Sequence, residues 1–231
     1  MLGIIGAMEE EVRQLRDVMK VEEIRTKAAM EYAVGTLERT PVVLVRSGIG
    51  KVNAAVCTQI LVDEFGVDAV INTGIAGSLQ GKIDIGDIVL STDVLHHDMD
   101  ASVFGYAPGQ VPRMDRLAFP ADESMQEIAE ACCRRVNPEI GVHRGRVVSG
   151  DQFVSSEEKK EWIRREFSGY CTEMEGAAIG HTAYLNGVPF LIIRAISDKA
   201  DNSAVMDYPE FEAKAILHTV RLVRAFAEAW K

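Results

Sequence analysis

Residues 188–198, VPFLIIRAISD, restrict the possible folds more than any other segment. So apolar a run, without polar alternation, reads as a strand buried on both faces, as in parallel or mixed sheets covered by helices. Similar runs recur as MLGIIG (1–6), PVVLVRSG (41–48), VDAVINTGIAGSL (67–79), DIVLSTDVLHH (87–97) and GRVVSGDQF (145–153). Between them lie helical segments at 8–20, 51–65, 122–136, 156–167, 175–186 and 207–230. The first carries Val12, Leu15, Val18 and Met19 at near-helical spacing, and the last carries Phe211, Ile216, Val220, Val223, Ala227 and Trp230 on one stripe. Strands alternating with helices predict an α/β fold, here an α/β/α sandwich around a mixed, twisted sheet. Short connections near 29–47 add antiparallel hairpins. No repeat, charge block or Pro/Ser-rich linker divides the chain, so residues 1–231 read as a single domain.

Charge and cysteine usage narrow the function. Lys plus Arg number 25 against 35 Asp plus Glu, a net charge of −10. That balance argues against a nucleic-acid partner, which needs a basic surface. No apolar run is long enough for a membrane-spanning helix, and MLGIIGAMEEE lacks the basic start of a signal peptide. Cys57, Cys132, Cys133 and Cys171 form no C-x-x-C pair, which points to a reduced, cytoplasmic setting. His96, His97 and Asp98 suggest a metal at first sight, but adjacent strand residues face opposite sides. No metal, cofactor or nucleophilic cysteine is expected.

In open α/β sheets ligands bind beyond the carboxyl ends of the strands. The sequence there contains Gly6–Glu11, Ser47–Gly50, Thr73–Gly77, Ser149–Phe153 and Ser197–Asp198. Glu9, Glu10 and Glu11 suit the positive end of a helix dipole, or supply a carboxylate that holds and deprotonates water. Asp198 is either a turn cap or a desolvated acid that keeps its proton. Glu173 and Glu175 either start a helix or face a ligand, with Met174 in the core. SGIGKVNAA departs from the dinucleotide fingerprint at Asn53. Thr73–Gly77 reads as a Gly-rich tight turn or as a close backbone approach to ligand.

Six segments together carry a family resemblance: GIIGAMEEEV (3–12), SGIGKVNAA (47–55), INTGIAGSL (71–79), VSGDQF (148–153), EMEGAAI (173–179) and RAISDKAD (194–201). In order, over essentially the whole chain, they resemble the 5′-methylthioadenosine/S-adenosylhomocysteine nucleosidases of the purine nucleoside phosphorylase-like group. The resemblance implies cofactor-free hydrolysis of the bond between adenine and a 5′-thio-substituted ribose, and of 5′-deoxyadenosine, in methionine salvage. It implies Asp198 as the acid that protonates adenine, with Ser197 hydrogen-bonded to it, and Glu11 as the carboxylate that activates water. It implies Glu175 on the ribose hydroxyls above Met174, Phe153 and backbone near Val154 on adenine, and further contacts from Met8, Gly77 and Arg194. Ile49 and Tyr208 match positions around the thio-substituent. A homodimer follows by the same resemblance, with Phe104 and Pro112 closing the partner's pocket. Ile75 stands where some members carry a small polar residue, and Tyr208 where Phe is commoner. GAMEEE places carboxylates where phosphorolytic relatives place arginine, which suits water over phosphate. Hydrolysis of 6-amino-6-deoxyfutalosine in menaquinone synthesis needs the same carboxylates and stands as an alternative, as does a phosphate-dependent phosphorylase.

Overall fold

Each apolar run expected to be buried is a strand, and most pair in parallel. The computed structural model describes residues 1–230, with the side chains of 205–210 outside the description. In chain order the elements are β1 (Leu2–Gly6), α1 (Glu9–Val18), β2 (Lys20–Lys27), β3 (Met30–Leu37), β4 (Thr40–Arg46), α2 (Lys51–Phe65), β5 (Ala69–Ser78) and β6 (Ile88–His96). A 3-10 turn (Ser102–Phe104) leads to β7 (Phe119–Pro120), α3 (Glu123–Val136), β8 (Val142–Ser149), α4 (Glu157–Phe167), β9 (Cys171–Glu173), α5 (Gly176–Leu185), β10 (Phe190–Asp198) and α6 (Ala204–Ala229).

Among the described residues the strands form one mixed sheet of ten, with β5 as its hub. β5 pairs in parallel with β1 and β10, while its last residues, Gly77 and Ser78, pair antiparallel with β9. Through β10, β6, β8 and β9 the sheet curls back onto β5 and closes. On the other side β1 leads to β4, β3 and β2 as an open extension. α6 packs against both α1 and α3 as well as on β10 and β5, and α2 packs on α5. α4 covers a smaller core in which Ile163 and Phe167 meet Val148, Leu95 and Leu79.

Three expectations are corrected. The segment 8–20 is helical only to Val18; β2 follows at once and is exposed along its length. KVEEIRTK has no buried face, so no hydrophobic period announced it, and its charges suit an edge strand that must not recruit another chain. Thr73–Gly77 is not a turn but extended strand, the inner end of β5. The last helix begins at Ala204, before the expected 207. The antiparallel hairpins expected near 29–47 are present in β2–β3–β4.

Candidate active site

The carboxyl ends of β1, β5, β9 and β10 surround a cavity of about 460 Å³. Met8, Glu11, Ile49, Gly77, Phe153, Met174, Glu175, Ser197 and Asp198 line it together, joined by Ile75, Thr172 and Glu173. Local backbone explains how each acid reaches this place.

Glu11 lies in the first turn of α1 and also faces the cavity, so both readings of the acidic cluster apply to it. Its Oε2 accepts the N–H groups of Ala7 at 2.6 Å and Met8 at 3.0 Å, and its Oε1 accepts that of Ile75 at 3.3 Å. Burial nevertheless raises its pKa from the ordinary carboxylate value, against the pull of Arg194 and these N–H donors. Gly74 makes room for this arrangement: a Cβ there would collide with the Arg194 guanidinium and with Glu11 Oε1.

Asp198 closes β10 just past an irregularity in its pairing with β5, between Ile196 and Asp198. Such an irregularity re-aims side chains at a strand end. Ser197 Oγ donates to Asp198 Oδ2 at 2.8 Å, and Oδ1 accepts the Ala200 N–H at 2.7 Å. Only 2% of Asp198 is exposed, the desolvation expected of an acid at the end of so apolar a strand. A Cβ on Gly77 would lie 2.7 Å from Asp198 Oδ1, so glycine is what lets the carboxyl lie across β5.

The pair Glu173 and Glu175 divides its work. Glu173 Oε2 accepts the N–H groups of Glu175 at 3.0 Å and Gly176 at 2.7 Å, and its Oε1 accepts the Ser149 hydroxyl. It therefore anchors the N-terminus of α5, where backbone donors have no intrahelical partner. Glu175 accepts the Gly50 N–H at 2.9 Å and lies 3.6 Å from Arg194. Burial, and then the negative charge of Glu173, raise its pKa well above the ordinary value, although Arg194 and Gly50 oppose them.

Arg194 does not line the cavity. It is buried beneath it, hydrogen-bonded to Asn72 and Glu173. Asn72, which the sequence reading missed, also donates to the Ile5 carbonyl at 2.9 Å and so ties the arginine to β1. Its signal was a polar residue inside an apolar run. Val154 also stays outside the lining, its side chain in the smaller core behind Phe153. Phe104 and Pro112 are exposed and do not reach this chain's cavity. Tyr208 lies outside the described side chains. His96 and His97 point apart: His96 Nε2 meets His181 Nδ1 at 3.3 Å, while His97 packs on Gly150.

Residues 1–228 match the model of the phosphorylase superfamily. A Bacillus pumilus 5′-methylthioadenosine/S-adenosylhomocysteine nucleosidase is 42% identical over 96% of both chains. The structure of the Neisseria meningitidis nucleosidase of that name, in complex with methylthio-immucillin-A, superposes with a TM-score of 0.94 at 40% identity, covering 99% of this chain and 98% of that one. A futalosine hydrolase from Helicobacter pylori superposes at 0.93 and 30% identity, covering 99% and 97%. With these matches over nearly its whole length, the chain belongs to the phosphorylase superfamily and, within it, to the 5′-methylthioadenosine/S-adenosylhomocysteine nucleosidases.

Proposed function

We propose that this protein hydrolyses the N-glycosidic bond of 5′-methylthioadenosine and S-adenosylhomocysteine, and of 5′-deoxyadenosine, releasing adenine and the thioribose or its counterpart. The observation that carries this reading is that Glu11 and Asp198 line one cavity together with Glu175. Adenine leaves poorly as an anion. Asp198, steadied by the Ser197 hydroxyl, donates a proton to N7, so that the purine departs neutral and positive charge develops on the ribose. General-acid assistance of this kind is worth about 10²–10⁴-fold. Glu11, its basicity raised by burial, accepts a proton from the water that attacks the anomeric carbon. Glu175 holds the ribose hydroxyls, and its negative charge favours the developing cation. Met174 packs under the sugar, Met8 adds a further substrate contact, Gly77 lets the acid approach, and Phe153 with backbone near Val154 receives the adenine ring. Ile49, exposed at the mouth, and Tyr208 meet the 5′-substituent.

Water is favoured over phosphate on electrostatic grounds. Among the described residues lining the cavity there is no lysine or arginine, and Arg194 below is already engaged by Glu173 and Asn72. A dianion would meet carboxylates instead. The likeness to a futalosine hydrolase supports a second reading, hydrolysis of 6-amino-6-deoxyfutalosine by the same residues. Incubation with methylthioadenosine in phosphate-free buffer tests the main reading. Free adenine is expected; release that requires phosphate and yields 5-methylthioribose 1-phosphate overturns it, and kinetics on both nucleosides rank the two substrates.

The chain acts as one nucleosidase domain over 1–231, in a homodimer. The exposure of Phe104 and Pro112 away from their own cavity suits a segment that closes a partner's pocket. Light scattering should give twice the chain mass. Four free cysteines, all buried, suit the reducing cytoplasm, where methionine salvage would use the products. Among the described residues no helix is long and apolar enough to cross a membrane.

A further inference from the structure

Three motifs each contribute a residue that this chemistry leaves unused: Lys51 in SGIGKVNAA, Asp98 after the paired histidines, and Asp151 in VSGDQF. Distant in sequence, they close a ring beside the cavity. Lys51 Nζ donates to Asp98 Oδ1 at 2.5 Å, Asp98 Oδ2 accepts the Asp151 N–H at 3.0 Å, and Asp151 Oδ1 accepts the Lys51 N–H at 2.8 Å. The Lys51 and Asp98 side chains are only 19% and 15% exposed, so their attraction is weakly screened. Burial would raise the Asp98 pKa, but Lys51 and the Asp151 N–H hold it below its ordinary value.

The backbone around the ring leaves little slack. Gly50 has φ of +97°, and a Cβ there would sit 3.1 Å from Asp151 Oδ1. A Cβ on Gly150 would lie 2.6 Å from His97 Nε2 and 3.1 Å from Asp98 Cγ. One residue before Lys51, the Gly50 N–H meets Glu175. Two residues after Asp151 comes Phe153, on the cavity wall.

We propose that Lys51, Asp98 and Asp151 form a clamp that sets two walls of the cavity at once, the Gly50–Glu175 hydrogen bond on one side and the loop carrying Phe153 and Val154 on the other. They are positioning residues, since none of the three lines the cavity. Because the charge-assisted bond from Lys51 to Asp98 is shared by both walls, breaking it at either end loosens both. The identity of the ligand rests on the nucleosidase reading; the mechanical coupling does not.

Hydrogen exchange on the unliganded protein tests the coupling without substrate. Asp98→Asn, which keeps the side-chain shape, should speed amide exchange in both 47–51 and 149–154, segments that do not contain residue 98. Kinetics with methylthioadenosine test the consequence. Asp98→Asn and Lys51→Met should each raise KM about tenfold, with kcat within about threefold, because the acid and the water-activating carboxylate are untouched. Lys51→Arg should keep a near-normal KM. The double variant should be no worse than the poorer single, since one shared interaction is lost only once. Wild-type exchange in folded Asp98→Asn, or losses that multiply in the double variant, would overturn the clamp. Should Lys51→Met fail to fold, Asp98→Asn and Lys51→Arg decide the matter. If the wild type does not cleave methylthioadenosine, the nucleosidase reading falls and the exchange data still judge the clamp.

Discussion

Two clusters of arginine and glutamate sit at different ends of the sheet. At the far rim, near the start of β4, Arg224 pairs with Glu38, Arg221 with Glu139 and Arg135 with Glu228. Each cation has its own anion, and the side chains are about one-third or more exposed. Pairs of this kind are screened by water and add little to stability. Beneath the cavity a single arginine, Arg194, faces Glu173 and Glu175 and feels the charge of Glu11, with all four almost out of water. The charges there do not balance and solvent cannot screen them, so burial raises the pKa of Glu11 and Glu175. The same functional groups hold a surface together in one place and tune proton affinity in the other. Count and dielectric make the difference.

That contrast can be broken at several points. Asp198→Asn should lower kcat by about 10²–10⁴-fold while leaving binding measurable by titration, because only proton donation is lost. Near-normal turnover would remove Asp198 from its role. Glu11→Gln should cost a similar factor. In the wild type the rate should fall as pH drops through the raised pKa of Glu11, and an identical acid limb in the variant would contradict the assignment.

Arg194→Met leaves buried carboxylates without their cation, and should lower unfolding free energy by about 3–5 kcal/mol in denaturant titrations at neutral pH. Stability close to wild type would mean that water reaches this cluster after all. Glu175→Gln should weaken ribose binding and turnover together, yet gain stability relative to wild type as pH rises. The sign follows from the raised pKa: the folded protein holds this proton more tightly than the unfolded chain. Its stability therefore declines between the ordinary carboxylate range and the raised value, and the amide variant escapes that decline. A pH-independent difference between the two proteins would refute it. Smallest of all, Arg224→Ala should change stability by at most about 1 kcal/mol, and less in high salt. A larger loss would place that rim in the same class as the buried cluster.

Much of the fold was legible in the residues. Runs such as FLIIRAISD announce strands buried on both faces because nothing polar interrupts them for long. β2 was not legible, since an edge strand without a buried face carries no hydrophobic period. The inner end of β5 misled because glycines usually mark turns. Here Gly74 and Gly77 clear space for Glu11, Arg194 and Asp198 within a continuous strand. At the site, the acids at the strand ends were visible, whereas Asn72 under Arg194 and the ring of Lys51, Asp98 and Asp151 were not.

Residue identity and local spacing suffice to locate the buried strands and to place carboxylates at their ends. Tertiary packing was needed for Glu173 to anchor a helix from the cavity wall, for Glu175 to meet Gly50, and for Asp198 to lie across Gly77. It also decided that Arg194 sits beneath the floor. Those outcomes depend on strand register and on a shift at the end of β10, which bring together residues far apart in the chain, and no local periodicity encodes them.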